Sequence, residues 1–260
     1  MRWIRSFGIA FSMYSKIPMP RVQWTKESMQ YAFCFFPLVG AVEGALLWIV
    51  GWILFPLRDG GQISALVPAV CLTLLPLLVT GGIHMDGFLD TSDARHSYGD
   101  PEKKLAILKD PHTGAFAVIS ALCYILWSTA LWSAADLTVL PEMACTMVLS
   151  RTLSGLSVTI GKGARKDGLA AAFRESAKQR AVWSSTGIYI ALCVIFLLLV
   201  SGIVPLILLI MTAAVVFSYY LYMAGKEFGG ITGDLAGYFL QVFELTALTV
   251  FTIYTFLLKI

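Results

Sequence analysis

The sequence predicts an all-α, polytopic integral membrane protein, and three observations carry that prediction. Charged residues make up 13% of the chain, against roughly 25% in ordinary soluble proteins. Apolar residues, 58% of the total, gather into runs near the ~20 residues that a bilayer-crossing helix needs. Lys and Arg fall almost wholly on alternate connecting segments, as cytoplasmic loops require.

The segment before residue 30 is too polar to span. It mixes Arg2 and Arg5 with apolar residues, and Lys16-Ile17-Pro18-Met19-Pro20 stands where a secretory signal would have a small-residue cleavage site, so an interfacial or re-entrant anchor is expected. About seven transmembrane helices follow, at residues 33–55, 63–80, 114–134, 137–160, 183–200, 203–223 and 235–258. The fourth run is the least regular, because Glu142, Ser150, Arg151 and Thr152 interrupt it. The polar stretch 162–182 is the other large gap, and neither gap has the length of a domain linker. Residues 1–260 are therefore read as a single domain.

Loop charge tests this topology independently of hydropathy. With the N-terminus inside, Arg2 to Lys26, Arg95 to Lys109, Lys162 to Arg180 and Lys226 all lie on inner segments, whereas the outer segments and the C-terminus hold Arg58 and Lys259 alone. The net charge of +3 thus reflects topology, with some phosphate binding on top, and no basic stripe interleaved with aromatics points to nucleic acid. The five cysteines are scattered through apolar spans with no C-x-x-C pair, which argues against zinc and against a disulfide framework.

The polar connection after the second span carries the chemistry. Gly81-Gly82-Ile83-His84-Met85-Asp86-Gly87-Phe88-Leu89-Asp90-Thr91-Ser92-Asp93 places three carboxylates at steps of four and three. On a helix they share one face, where like charges about 5–6 Å apart repel unless a cation sits among them. Magnesium is the natural candidate for such hard oxygen ligands. A structureless connection of about thirty residues is uncommon, so a helix within it is expected. All three histidines, His84, His96 and His112, belong to this connection, with His84 the candidate to act. Zinc on His84 and Asp86 would be an unusual ligand set.

A second signal lies between the last two spans, at Gly229-Gly230-Ile231-Thr232-Gly233-Asp234. Glycines before a helix start offer free N–H groups to an anion, which makes Gly230, Thr232 and Gly233 binding candidates, and Asp234 either caps that helix or adds a metal ligand. This is not the Gly-x-Gly-Asp of intramembrane aspartyl proteases. Glu43, Glu244 and Arg151 fall inside spans, where an isolated charge costs about 2.5–3.5 kcal/mol, so they either pair structurally or face substrate. In the 162–182 stretch, Arg165 and Lys166 suit either a phosphate or a positive-inside anchor.

These residues together resemble the cobalamin synthase family, the adenosylcobinamide-GDP ribazoletransferases. The resemblance runs nearly end to end: Lys16 to Pro20, Phe36-Pro37-Leu38-Val39-Gly40, the His84 to Asp93 core, Leu108-Lys109-Asp110 with Gly114-Ala115-Phe116, Ser150-Arg151, Ala164-Arg165 with Gly168-Leu169, Gly229 to Asp234, and Glu244-Leu245-Thr246. One local departure is Ala94-Arg95-His96-Ser97, where many members continue with Gly. The resemblance implies a Mg²⁺-dependent transfer of the adenosylcobinamide phosphate group from its GDP-activated form to α-ribazole or α-ribazole 5′-phosphate, with release of GMP. It implies that Asp86, Asp90 and Asp93 hold Mg²⁺, that Lys109, Arg151 and Arg165 contact phosphate, and that Asp110 and Asp234 support or supplement the metal. One of the acids or His84 orients or deprotonates the acceptor. Expected partners are these two substrates and the lipid bilayer, with no nucleic acid; a homo-oligomer is compatible with the chain. The expected location is the bacterial cytoplasmic membrane, with the acidic segment facing the cytoplasm. The competing reading is a transporter for a divalent cation or small organic substrate, its pathway lined by Glu43, Arg151 and Glu244, although hydropathy shows no inverted repeat. A CDP-alcohol phosphotransferase fails on spacing, since Asp90-Thr91 stands where that family has Ala-Arg.

Overall fold

The computed structural model describes residues 2–259, and among them the regular structure is helical apart from one isolated bridge between Gly163 and Ile231. Two short helices come first, α1 (Arg2–Tyr14) and α2 (Lys26–Met29), then the long α3 (Ala32–Asp59). The helix α1 keeps Trp3 and Ile4 exposed while it buries Ile9, Ala10 and Phe11. Ser6 fixes it by donating to the Ser28 carbonyl at 2.7 Å.

Among the described residues, six helices are long and apolar enough to cross a bilayer: α3, α7 (Ala115–Ala134), α8 (Val139–Ile160), α10 (Gln179–Val200), α11 (Ile203–Phe228) and α12 (Gly233–Leu257). The second expected span, 63–80, is α4 (Leu66–Thr80), whose 15 residues rise only about 22 Å. Gly81 and Gly82 then adopt left-handed φ of +67° and +79°, and the chain turns by 96° into α5 (Ile83–His96). The acidic connection is therefore helical, turned across the end of α4. It continues through α6 (Pro101–Ile107), where Asp100 caps by accepting the Lys103 N–H at 2.9 Å. The 162–182 stretch contains α9 (Leu169–Ser176).

The interrupted fourth run proves to be the centre of the bundle. In α8, 72% of the most apolar stretch is buried, against 22% in α7 and α10, because its polar residues face protein and not lipid. Close approach of α3 explains part of this, since a Cβ on Gly40 would stand 2.1 Å from the Met147 carbonyl oxygen; small residues allow such crossings in membranes. At that crossing Arg151 pairs with Glu43 of α3 at 2.6 Å and with Glu244 of α12, and Ser150 donates to Glu244 at 2.8 Å. Three spans are pinned by one buried guanidinium. The outward faces carry Trp52, Leu78, Leu126, Leu199 and Val215, which suits lipid.

The segments expected inside come together at one end of the bundle. Lys104 pairs with Glu227 at 2.7 Å and Lys109 with Asp167 at 3.0 Å, while the Lys16 N–H donates to the Val79 carbonyl at 2.7 Å. Arg58 and Lys259 mark the other end: Arg58 donates to the Ala135 carbonyl at 2.6 Å, and Lys259 pairs with Asp136 at 2.6 Å.

Candidate active site

The acidic helix α5 is pressed against the first turns of α12. A Cβ on Gly87 would stand 2.7 Å from the Asp234 carbonyl oxygen, and one on Gly237 would stand 3.2 Å from that of His84. Only glycine tolerates backbone approach this close, and its result is that Asp86 and Asp90 of α5 lie near Asp234 of α12. Thr232 caps α12, accepting the Leu235 N–H at 3.2 Å while its hydroxyl donates to Asp234 at 3.4 Å. Burial, followed by the charges of Asp86, Asp234 and Asp93, pushes the Asp90 carboxyl from 3.8 up to about 6.

Among the described residues, no three His, Cys, Asp or Glu side chains converge closely enough to hold an ion alone. An open group of mutually repelling carboxylates nevertheless fits Mg²⁺, which usually takes one or two carboxylates and completes its octahedron with water and phosphate oxygens. Asp86, Asp90 and Asp234 are the carboxylates from which one or two would hold it.

Two of the expected metal residues are engaged elsewhere. Asp93 faces the start of α7, accepting the N–H groups of Gly114 at 2.6 Å and Ala117 at 2.8 Å with its two oxygens, so it is a helix cap. Asp110 is exposed and bonded within its own turn, to the His112 N–H at 3.0 Å and the His112 ring at 2.6 Å. Asp93 keeps a further lone pair on each oxygen and its charge still bears on Asp90, whereas Asp110 does not line the cleft.

Asp86 and Asp234 line a cleft of about 300 Å³ that also contains His84, Arg165, Asp167, Arg174, Thr232 and Gly233. His84 is buried, with Nε2 lacking any partner, and its ring lies 5.8 Å from both Tyr14 and Phe36. Burial, and secondarily the charge of Arg151, lowers its pKa well below the usual value, so the imidazole is neutral. His96, by contrast, stacks on Phe116 at 4.4 Å and bonds its own helix through Ser92.

Two arginines bring unspent hydrogen-bonding capacity to the cleft. Arg165 donates to the Leu105 carbonyl, yet its Nε is buried without a partner. Arg174 donates through Nε to Val158 at 2.8 Å, and its Nη2 is likewise unpartnered. Buried guanidinium nitrogens left open beside a carboxylate group are the donors a phosphate would satisfy.

The remaining expected phosphate contacts do not reach this cleft. Arg151 is fully buried and taken up by Glu43 and Glu244, and Lys109 forms the rim pair with Asp167. Gly230 serves packing: a Cβ there would stand 2.5 Å from the Lys162 carbonyl oxygen, where Ile231 bonds back to Lys162 at 2.8 Å. A transport pathway along Glu43, Arg151 and Glu244 fares no better, since Glu244 borders a void of only about 20 Å³. Tyr14 and Arg174 were not singled out from the sequence. Arg174 was visible there only as one of several cations in a basic stretch.

A family profile described as cobalamin-5-phosphate synthase matches residues 6–252. The chain is 46% identical over 247 residues to an adenosylcobinamide-GDP ribazoletransferase of Lachnoclostridium phytofermentans, covering 95% of this chain and 93% of the relative. It is 32% identical over 248 residues to the protein of that name from Desulfitobacterium hafniense, covering 93% and 94%. A third, from Geobacillus kaustophilus, is 32% identical over 233 residues, 88% of each chain. No solved structure gives a significant match. With the profile and the relatives spanning nearly its whole length, the chain belongs to the cobalamin-5-phosphate synthase family.

Proposed function

We propose that this protein joins adenosylcobinamide-GDP to α-ribazole or α-ribazole 5′-phosphate, releasing GMP, in a Mg²⁺-dependent reaction at the cytoplasmic face of a bacterial membrane. One observation carries the reading: a carboxylate group and two arginines with open nitrogens, Arg165 and Arg174, share one cleft with neutral His84. Mg²⁺, held by one or two of Asp86, Asp90 and Asp234, would neutralise charge on the diphosphate. Arg165 and Arg174 bind the oxygens of the reacting phosphate and fix it for in-line attack. His84 accepts the hydrogen bond of the ribazole hydroxyl at Nε2 and takes its proton as oxygen attacks phosphorus. One P–O bond forms to the ribazole oxygen. The bond to the bridging oxygen breaks, and its electron pair leaves with GMP.

A direct displacement needs no protein nucleophile, and the cleft offers none that is activated. It contains no cysteine, and the Ser154 hydroxyl donates to the Ala236 carbonyl at 3.3 Å and not to a base. The test is GMP release by the purified protein, which is expected only when donor, ribazole and Mg²⁺ are all present. GMP release without acceptor would mark a hydrolase, and none under any condition would end the transferase reading.

A further inference from the structure

Asp86 borders two clefts. Beyond the active-site cleft it lines a second one of about 370 Å³ at the Gly81-Gly82 corner, together with Ser12, Lys16 and Thr80. Lys16 is placed there by two contacts. Its N–H donates to the Val79 carbonyl at 2.7 Å, tying the segment after α1 to the end of α4. Its side-chain stem lies directly across Gly81, where a Cβ would stand 2.0 Å from Lys16 Cε. Gly81 thus supplies a left-handed turn and also the clearance over which a lysine side chain passes. Among the described residues, no carboxylate lies within ion-pairing distance of the Lys16 ammonium. The hydroxyls of Ser15 and Thr80 are already committed to backbone carbonyls, which leaves Lys16 as the free cation of this cleft.

We infer that Lys16 holds the guanosine-side phosphate of the nucleotide donor in this second cleft, an inference that rests on the transferase reading. A diphosphate reaching across Asp86 puts one phosphate in each cleft. The phosphate that reacts must lie with His84, Arg165 and Arg174, where the acceptor is received. The other, which leaves as GMP, then falls beside Lys16. When the bridging P–O bond breaks, the departing oxygen gains negative charge. An ammonium there binds the product phosphate and favours its departure.

Three variants test this by a direct binding readout as well as by turnover. GMP affinity is measured calorimetrically in Mg²⁺-containing detergent, alongside donor kcat/KM and α-ribazole affinity. Lys16→Ala is expected to weaken GMP about tenfold, the scale of one charge-assisted hydrogen bond, and to lower donor kcat/KM alike without changing α-ribazole affinity. Lys16→Arg retains most of both. Gly81→Ala keeps the lysine yet drives its stem aside, so it is expected to resemble Lys16→Ala. If the wild type releases GMP while Lys16→Ala binds GMP and uses donor normally, the assignment of Lys16 is wrong. A change in α-ribazole affinity in place of GMP affinity would also overturn it. A wild type that neither binds GMP nor releases it removes the transferase reading first, and this inference with it.

Discussion

Gly87 of α5 packs on the backbone of Asp234 in α12, so closely that a Cβ would meet the Asp234 carbonyl oxygen at 2.7 Å and its Cα at 2.9 Å. The obstacle is backbone at the first turn of a packed helix, which has no rotamer through which to yield. Gly87→Ala is therefore expected to part Asp86 and Asp90 from Asp234 and to lower kcat about 100-fold, the loss that an ångström of misplacement brings. The altered protein should still insert and purify. Near-native turnover would mean that α5 and α12 do not form one site.

Asp86 and Asp93 share a helix face in sequence but have different duties in the fold. Asp86→Asn should abolish Mg²⁺ binding, measured by calorimetry, and leave the melting temperature unchanged. Asp93→Ala strands two N–H groups at the start of α7 and should cost about 1 kcal/mol of stability, as other lost caps do. The reverse pattern would restore Asp93 to the metal.

The pH dependence of the metal-free protein follows from Asp90. Its folded pKa of about 6 lies above its ordinary 3.8, so the folded state binds more protons between those values. Stability should accordingly fall as pH rises from about 4 to about 6 and level off beyond. Melting curves in a chelator report this, and Asp90→Asn should flatten that part of the profile. Mg²⁺ must displace the same proton, so its apparent affinity should fall about tenfold per pH unit well below 6. Affinity independent of pH from 4 to 6 would show that Asp90 is not crowded by the neighbouring acids.

Much of this arrangement is legible in the residues. Long apolar runs with one-sided loop charge suffice to place the spans, and acids at steps of four and three suffice to place a helix in the polar connection. Asp93 was less legible, because helical spacing establishes which face an acid occupies but not what packs on it, and the start of α7 lies 21 residues further along the chain. Arg151 was ambiguous for a related reason: a charge within a span must have a partner, but Glu43 and Glu244 are brought to it only by the crossing of three helices. Arg174 is one of several cations that topology alone explains, and Lys16 stands in a segment whose sequence gives it no duty. Their distinction lies in the single neighbours that orient them, Val158 for one and Gly81 for the other.

Orientation in the membrane is tested at Tyr98, between α5 and α6, and at Lys178, between α9 and α10. Single cysteines at these positions, in a background with all five native cysteines replaced, should resist a membrane-impermeant thiol reagent in intact cells and react once the cells are opened. Labelling of either from outside would reverse the topology inferred from Lys and Arg.

The order of bond making and breaking can be read from stereochemistry at phosphorus. A single in-line displacement inverts configuration, whereas transfer through a covalent phosphoenzyme proceeds by two inversions and retains it. Direct attack is favoured because His84, the one histidine lining the cleft, is held by α5 with its ring near Tyr14 and Phe36. It is placed to receive a proton, and the carboxylates it adjoins are the ones suited to Mg²⁺. A donor made chiral at the cobinamide-linked phosphorus should therefore give inverted product. Retention, or a cobinamide-phosphate adduct trapped on His84 or an aspartate, would replace this mechanism with a double displacement. His84→Gln separates the remaining roles, because glutamine can accept the acceptor's hydrogen bond but cannot take its proton. It should lower kcat with little change in α-ribazole affinity and keep inversion in the residual product. A loss of affinity with kcat intact would make His84 a binding residue and assign the proton to an acid.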